Sequence, residues 1–283
     1  MNFQHCKKWL VSLSFFASTF FYIQPLSAEQ LSPYSPAFYL QEGQLESDSA
    51  VAYFQSNTKV DTRFFSLSGK SEGLNLYQYF AMGFADAYAL SVSTTYVGTL
   101  RADTTLPGLD VQAFSSPIFT GSKLWGADQP WRFKLALAVQ PMLSPIIAQP
   151  GFVNVIAGIT GMYVCENQWV ASLAASEKTN NNGSFRTTTY GANLAKNWGD
   201  FFLNLTVNGI KSPASHLTDG SVKKTHGYIA NLTVSRPVTK DVWLGLTYSR
   251  NSLYSDVTGA PMGLSGELTT DIDALEFSAR ILF

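Results

Sequence analysis

The chain contains 283 residues, of which 46% are hydrophobic and only 14% are charged, and its formal net charge is -1. Soluble domains carry about 25% charged residues, so this composition indicates that water is not the only solvent of the protein. The near-neutral charge gives no electrostatic reason to expect nucleic acid as a partner.

The first 28 residues have the pattern of a secretory signal peptide. Lys7 and Lys8 precede an apolar run over residues 9–23, and small residues follow up to Ala28. The run is shorter than the roughly 20 residues of a transmembrane helix. We therefore expect a signal peptide over 1–28, a short periplasmic segment over 29–42 and a single domain over 43–283. Cys165 would remain as a lone cysteine, so no intramolecular disulfide is expected.

Alternation of apolar and polar residues is the main pattern of residues 43–283. In "WRFKLALAVQ", Trp131, Phe133 and Leu135 share one face, whereas Arg132 and Lys134 lie on the other. This period predicts a strand with one apolar and one polar face. The pattern predicts strands at 43–55, 73–83, 87–98, 109–119, 131–140, 152–163, 168–177, 184–195, 201–210, 224–235, 242–251 and 268–283.

Strands of about 10 residues have the length that a tilted strand needs to cross a bilayer. The predicted connections alternate between short turns and longer loops, which is typical of outer-membrane barrels. We therefore predict an all-β fold, an antiparallel up-and-down transmembrane β-barrel of about 12 strands. The stretch 59–67 is either an extension of the first strand or an extra strand, so a count of 14 is the alternative.

Tryptophans are expected at one end of this barrel, where the membrane meets water. The predicted interfacial residues are Trp131, Trp169, Trp198 and Trp243. Trp243 has the parity of the lumen face, which leaves a place in a turn as its alternative.

The final ten residues, "ALEFSARILF", alternate up to an aromatic end. One face carries Leu275, Phe277, Ala279, Ile281 and Phe283. This strand resembles the last strand of bacterial outer-membrane β-barrels, which commonly ends on Phe. The resemblance implies a bacterial outer-membrane location among lipid and lipopolysaccharide. It also implies that the five residues form the signal recognised by the barrel-assembly machinery.

A second resemblance concerns the first strands. Gly43, Leu45 and Glu46 fit a "G-x-L-E" first strand, and "GFAD" at 83–86 stands where a "Y-G-L-T-D-x-L" hairpin is typical. These residues resemble the MetA-pathway phenol degradation transporters, although Phe84 and Ala85 replace the Leu and Thr of the hairpin. The resemblance implies transport of a small molecule, with hydrophobic or aromatic compounds as the suggested class.

Polar residues on the inward face are the candidates for lining a lumen. They are Glu46, Asp48, Arg132, Lys134, Gln140, Asn204, Asn208, Glu276 and Arg280. In lipid every backbone N–H and C=O must be paired, so the first and last strands must close the sheet. We therefore predict that Arg280 lies near Glu46 or Asp48 across the seam; the alternative is that these groups face water without touching. Arg132 and Lys134 would favour anionic solutes in an open lumen.

Three functions fit the sequence. The first is a channel for passive passage of a small molecule, and the second is a structural or surface-interaction barrel with an obstructed lumen. The third is an outer-membrane hydrolase using His216 or His226, since "SHLTDGS" brings Ser215, His216 and Asp219 together. The histidines and the lone cysteine do not cluster, so we expect no metal and no cofactor.

Overall fold

The computed structural model of the protein describes residues 32–63, 65–103, 112–141, 153–165, 168–180, 186–216, 222–258 and 266–283. These residues form thirteen strands and one 3-10 turn, Ala85–Ala87. The strands are β1 (Leu45–Thr62), β2 (Ser66–Phe84), β3 (Tyr88–Asp103), β4 (Gln112–Phe114), β5 (Ile118–Trp125), β6 (Trp131–Pro141), β7 (Val153–Val164), β8 (Trp169–Asn180), β9 (Arg186–Trp198), β10 (Phe201–His216), β11 (Val222–Pro237), β12 (Val242–Thr258) and β13 (Gly266–Leu282). No helix in this part of the chain is long and apolar enough to cross a membrane.

The strands form a closed antiparallel barrel of twelve strands, as predicted. Each barrel strand pairs with its sequence neighbours, and β1 pairs with β13 from Glu46↔Leu282 to Thr62↔Gly266. The extra strand β4 pairs with the far part of β3, while β5 pairs with Tyr88–Ser93 of the same strand. The single strand predicted at 109–119 was therefore wrong, because the ladder is interrupted at 115–117 and β5 continues to Trp125.

Several strands extend well beyond the predicted 10 residues. β1 has 18 residues and β2 has 19, whereas β6, β7 and β8 have 11 or 12. Residues 59–62 prolong β1 and residues 66–67 begin β2, so most of the gap left between the first two predicted strands belongs to a hairpin. The alternative of 14 strands was therefore wrong. This extension of β1 could not be predicted from alternation, because its outward residues are polar. They are Gln55, Asn57 and Lys59.

The two ends of the barrel differ in their connections. One end, the short-turn end, carries the connections β2–β3, β5–β6, β7–β8, β9–β10 and β11–β12. Gly126 and Gly199 have φ of +69° and +60° there, a conformation that costs glycine little. The opposite end is called the long-loop end. Since outer-membrane barrels have short turns on the periplasmic side, the short-turn end corresponds to the periplasmic end.

Residues 32–44, called the N-terminal segment, lie inside the barrel at its short-turn end. Ser32, Ala37 and Leu40 are buried among inward side chains of the strands. The sequence predicted a short periplasmic segment over 29–42. The described part of that segment lies inside the barrel at its short-turn end. Its irregular "SPYSPAFYL" pattern could not reveal this position because it has no strand period.

Candidate solute pathway

The inward face of the barrel is polar through its middle. The strand registers place hydroxyl and amide side chains there, including Ser91, Thr120, Thr160, Ser172, Asn193, Thr206, Asn231 and Thr247. Several join neighbouring strands, as where the Thr233 and Thr247 hydroxyls lie 2.9 Å apart. The outward face is apolar, with residues such as Leu137 and Leu173 exposed. This alternation is the arrangement of a barrel with lipid outside and water inside.

A cluster of three charges closes the seam between the first and last strands. Arg280 donates from Nη2 and Nε to Asp48 Oδ2, at 2.7 and 3.1 Å. Its Nε also lies 3.2 Å from Glu46 Oε1, an ion pair without hydrogen-bond geometry. Both carboxylates are 5% exposed. The predicted contact of Arg280 with Glu46 or Asp48 is confirmed, and Arg280 touches both.

Arg280 also binds the N-terminal segment. Its Nη1 donates to the carbonyl oxygen of Pro33, and its guanidinium lies 4.4 Å from the centre of the Tyr34 ring. The Tyr34 hydroxyl lies 2.8 Å from the Ser278 hydroxyl. Burial raises the pKa of Tyr34 above its ordinary value, so the phenol stays neutral and able to donate. The seam therefore fixes the start of the segment.

Other inward residues anchor the segment from different walls. Arg132 Nη1 donates to the Ala37 carbonyl at 3.0 Å, and Asn204 Nδ2 donates to the Tyr34 carbonyl at 3.2 Å. The Ser32 and Ser235 hydroxyls lie 3.2 Å apart. Three of the residues that we predicted to line the lumen thus bind backbone carbonyl groups of the segment. They are Arg132, Asn204 and Arg280.

Apolar packing completes the seat of the segment. Ala37 lies in a buried cluster whose other members are Leu124, Met162, Val170, Ala195, Phe202 and Trp243. Leu40 packs with Ala81 and Leu282 in a second cluster. Leu282 is an apolar residue on the inward face at the end of β13. Among the apolar residues of this strand, we predicted a role only for those of the outward face, so this contact was not predicted.

The four predicted interfacial tryptophans do not share one environment. Trp131 and Trp198 are 72% and 70% exposed at the short-turn end, and Trp169 is partly exposed under Lys196. Trp243 is instead buried inside the barrel, so its assignment to the membrane interface needs correction. Trp243 points inward because it lies directly opposite Arg280, which is on the inward face of β13.

A cavity of about 510 Å³ lies between the N-terminal segment and the barrel wall. Its aromatic lining is formed by Tyr34, Phe38, Tyr39, Tyr77 and Tyr79, and its polar lining includes Lys134, Thr160, Ser172, Asn193, Asn204 and Thr206. The sequence pattern did not reveal Tyr77 and Tyr79, because "LYQYF" does not divide into one apolar face and one polar face. The available signal was that Tyr77 and Tyr79 share a face of this strand with small and polar residues, namely Gly69, Ser71, Gly73 and Asn75.

The remaining predicted lumen residues lie above this cavity. Gln140 Oε1 accepts hydrogen bonds from Lys178 Nζ at 2.9 Å and Asn154 Nδ2 at 3.2 Å. The Asn208 carboxamide covers Gly191, where a Cβ atom would not fit. Glu276 is a half-buried inward residue opposite Ala52. The predicted lumen set is therefore spread over the height of the barrel, and only part of it meets the cavity.

The residues considered for hydrolysis are not assembled into a site in the described part of the chain. Asp219 and Ser221 lie outside the described residues, and of Ser215 and His216 only the backbone is described. The His226 ring packs against the Tyr254 ring with centroids 4.8 Å apart. Among the described residues, no group of three or more His, Cys, Asp or Glu could hold a metal ion.

Comparison with solved structures defines the fold. The COG4313 outer membrane channel from Pseudomonas putida F1 aligns with a TM-score of 0.56 and 12% identity, over 90% of this chain and 100% of that chain. The chain has the fold of an outer-membrane β-barrel. Its apolar outward band and polar interior agree with this fold and with a location in the bacterial outer membrane.

Two further solved structures are less similar. A Pseudomonas aeruginosa FadL homologue gives a TM-score of 0.49 at 10% identity, over 85% of this chain and 90% of that chain. The outer membrane protease OmpT from Escherichia coli gives 0.39 at 9% identity, over 91% and 100%. No protein-family model and no curated protein sequence matches the chain. The resemblance to the MetA-pathway transporters therefore has no support from a family model.

Proposed function

We propose that the protein is an outer-membrane channel for passive passage of small molecules, with aromatic compounds as the solute class. The observation that carries this proposal is the aromatic and polar cavity of about 510 Å³ inside a closed, polar-lined barrel. Ligand sites commonly have volumes of about 300–1,000 Å³, so a single small aromatic molecule fits. The likeness to the Pseudomonas putida protein, which is described as an outer membrane channel, agrees with this proposal.

Tyrosines suit such a solute for a physical reason. Their rings present flat apolar faces for offset or edge-to-face contact, and their hydroxyl groups can bond to polar substituents. Tyr77 and Tyr79 lie on β2, and Tyr34 and Tyr39 lie on the N-terminal segment across the cavity. A planar solute that entered the cavity would therefore contact aromatic groups from two sides.

The second candidate function is a structural or surface-interaction barrel with an obstructed lumen. The observation that favours it is the N-terminal segment, which is held in the lumen by Arg132, Asn204 and Arg280. Passage to the periplasmic end requires the segment to move or a path to remain beside it. The two candidates therefore differ in whether the segment leaves a conducting path.

Single-channel recording in planar bilayers separates these candidates. The channel proposal expects a steady ion current from the refolded wild-type protein, reduced by millimolar benzamide but not by arabinose. A matched variant replaces residues 33–40 with a glycine-serine stretch of equal length. It removes the side-chain contacts of Tyr34, Ala37 and Leu40 that seat the segment, and should increase the current. Absence of current from the folded wild-type protein would favour the obstructed barrel, and current from the variant alone would assign the obstruction to the segment.

The partners follow from the same location. Lipid surrounds the apolar outward band, and we propose lipopolysaccharide as the partner of the outward surface near the long-loop end. We also propose that the barrel-assembly machinery recognises the outward residues of β13 together with Phe283. No catalytic role is proposed for this barrel.

A further inference from the structure

Lys134 is the cavity residue whose role the channel proposal leaves open. It lies on the inward face of β6, opposite Leu124 of β5 and Thr160 of β7, and it lines the cavity. Its side chain is partly buried and forms part of the cavity lining. In the described part of the chain, Lys134 forms neither a hydrogen bond nor an ion pair within 4.0 Å.

The neighbouring cations are already engaged. Arg280 binds Asp48, Glu46 and the Pro33 carbonyl. Arg132 donates to the carbonyl groups of Ala37 and Gln129. Among the described cations that line or adjoin the cavity, Lys134 is thus the one that neither a protein carbonyl nor a carboxylate binds directly.

The acidic groups nearby do not occupy those donors. Glu46 interacts electrostatically with Lys134, but its carboxylate is held at the seam by Arg280, 3.2 Å away. Asp48 is bound to Arg280 through two hydrogen bonds. An ammonium group that is partly removed from water gains most from an anion that reaches it directly, because charge-assisted hydrogen bonds are roughly twice as strong as neutral ones.

The rest of the cavity defines the body of such an anion. Tyr77 and Tyr79 supply ring faces on the adjoining wall, and Tyr39 and Phe38 supply them on the N-terminal segment. The hydroxyl of Thr160 lies on the strand next to Lys134 and adds a neutral donor. A planar apolar ring bearing one carboxylate would satisfy both the aromatic wall and the ammonium group.

We propose that the cavity binds small aromatic carboxylates and that Lys134 pairs with the carboxylate group. This inference rests on the proposed function, because it names the solute class of the same cavity. In this proposal Lys134 selects solutes by their negative charge. Tyr77 and Tyr79 select solutes by their aromatic ring.

Calorimetric titration of the full, detergent-solubilised barrel at pH 7.5 tests the proposal with three probes. Benzoate carries both the ring and the charge, benzamide is a neutral molecule of nearly the same shape, and hexanoate carries the charge without the ring. We expect the wild-type protein to bind benzoate about tenfold more tightly than benzamide, the difference of one charge-assisted hydrogen bond. Hexanoate should bind more weakly than benzoate.

Variants then assign the charge preference to a residue. Lys134→Met should abolish the preference for benzoate over benzamide, and Lys134→Arg should retain most of it. The matched control is Lys123→Met, which changes an outward lysine at the same end of the barrel, where Lys123 lies over the Tyr88 ring. Heat-modifiable mobility checks folding, and Lys134→Gln replaces the Met variant if the latter does not fold.

Three results would overturn the proposal: equal binding of benzoate and benzamide by the wild-type protein, an unchanged preference in folded Lys134→Met, or hexanoate binding as tightly as benzoate. The current measurement described above is independent of these titrations. A barrel that binds benzoate through Lys134 without passing current would refute the channel function but support the site. A conducting barrel without the charge preference would do the reverse.

Discussion

Asp48 and Arg280 lie directly opposite each other on β1 and β13, where Arg280 Nη2 is 2.7 Å from Asp48 Oδ2. The pair lies at the seam that closes the barrel, and Arg280 also holds the Pro33 carbonyl of the N-terminal segment. One guanidinium group thus links closure of the barrel to the placement of the segment inside it.

Arg280→Ala should destabilise the barrel, because it leaves the buried carboxylates of Asp48 and Glu46 without their partner. Removing one member of a buried ion pair costs about 3–5 kcal/mol. Urea-induced unfolding in detergent micelles measures this loss. The matched control is Arg250→Ala on β12, since Arg250 faces Asp273 across an exposed pair and should matter little. Equal losses for the two variants would contradict a special role for the seam.

Gly245→Ala should displace the N-terminal segment without removing any of its anchors. A Cβ atom at Gly245 would lie 2.7 Å from Cζ of the Tyr34 ring and 2.6 Å from the Ser278 hydroxyl. Ser32→Cys in a Cys165→Ser background, labelled with a membrane-impermeant maleimide, reports the change, because Ser32 is fully buried. We expect faster labelling with Gly245→Ala than with the control Gly121→Ala, whose Cβ would make an ordinary 3.5 Å contact. Identical rates would show that Tyr34 does not hold the segment.

Tyr77→Ala combined with Tyr79→Ala should weaken the block of ion current by benzamide. Both rings line the cavity, and contacts between aromatic groups contribute about 0.5–1.5 kcal/mol beyond the area buried. The blocking concentration should therefore rise by roughly tenfold, as measured in planar bilayers. Tyr190→Ala, which removes an exposed outward ring, is the control. A similar rise for both variants would place the blocking site outside the cavity.

Deleting Phe283 should reduce the amount of folded protein in the outer membrane. Phe283 and Leu45 exchange two backbone hydrogen bonds, at 2.8 and 3.1 Å, and these are the last bonds of the seam. Because lipid offers no substitute partners, the terminal pair should matter for closure. Membrane fractionation with heat-modifiable mobility measures the effect, and Phe283→Tyr is the control that keeps the backbone and the ring. Normal membrane levels of the deletion variant would contradict this role.

The period-2 pattern determined the strands and the class of the fold. Residues 131–140 alternate without interruption, and β6 is found at Trp131–Pro141. Closure also followed from the sequence, because a lipid-facing sheet cannot leave an edge unpaired, and the paired edges place Arg280 beside Glu46 and Asp48. Strand ends were less predictable, since beyond the apolar band both faces of β1 and β2 are polar while the backbone ladder continues.

Only the tertiary structure decided what occupies the lumen. Alternation tells which side chains point inward, but it does not tell which of them meet across the barrel, because that depends on the register and tilt of distant strands. The N-terminal segment has no period of its own, so its insertion beside Trp243, Arg132 and Asn204 could not be read from its residues. The cavity lies between that segment and the barrel wall, and its lining includes Lys134 on one strand and Tyr77 and Tyr79 on another.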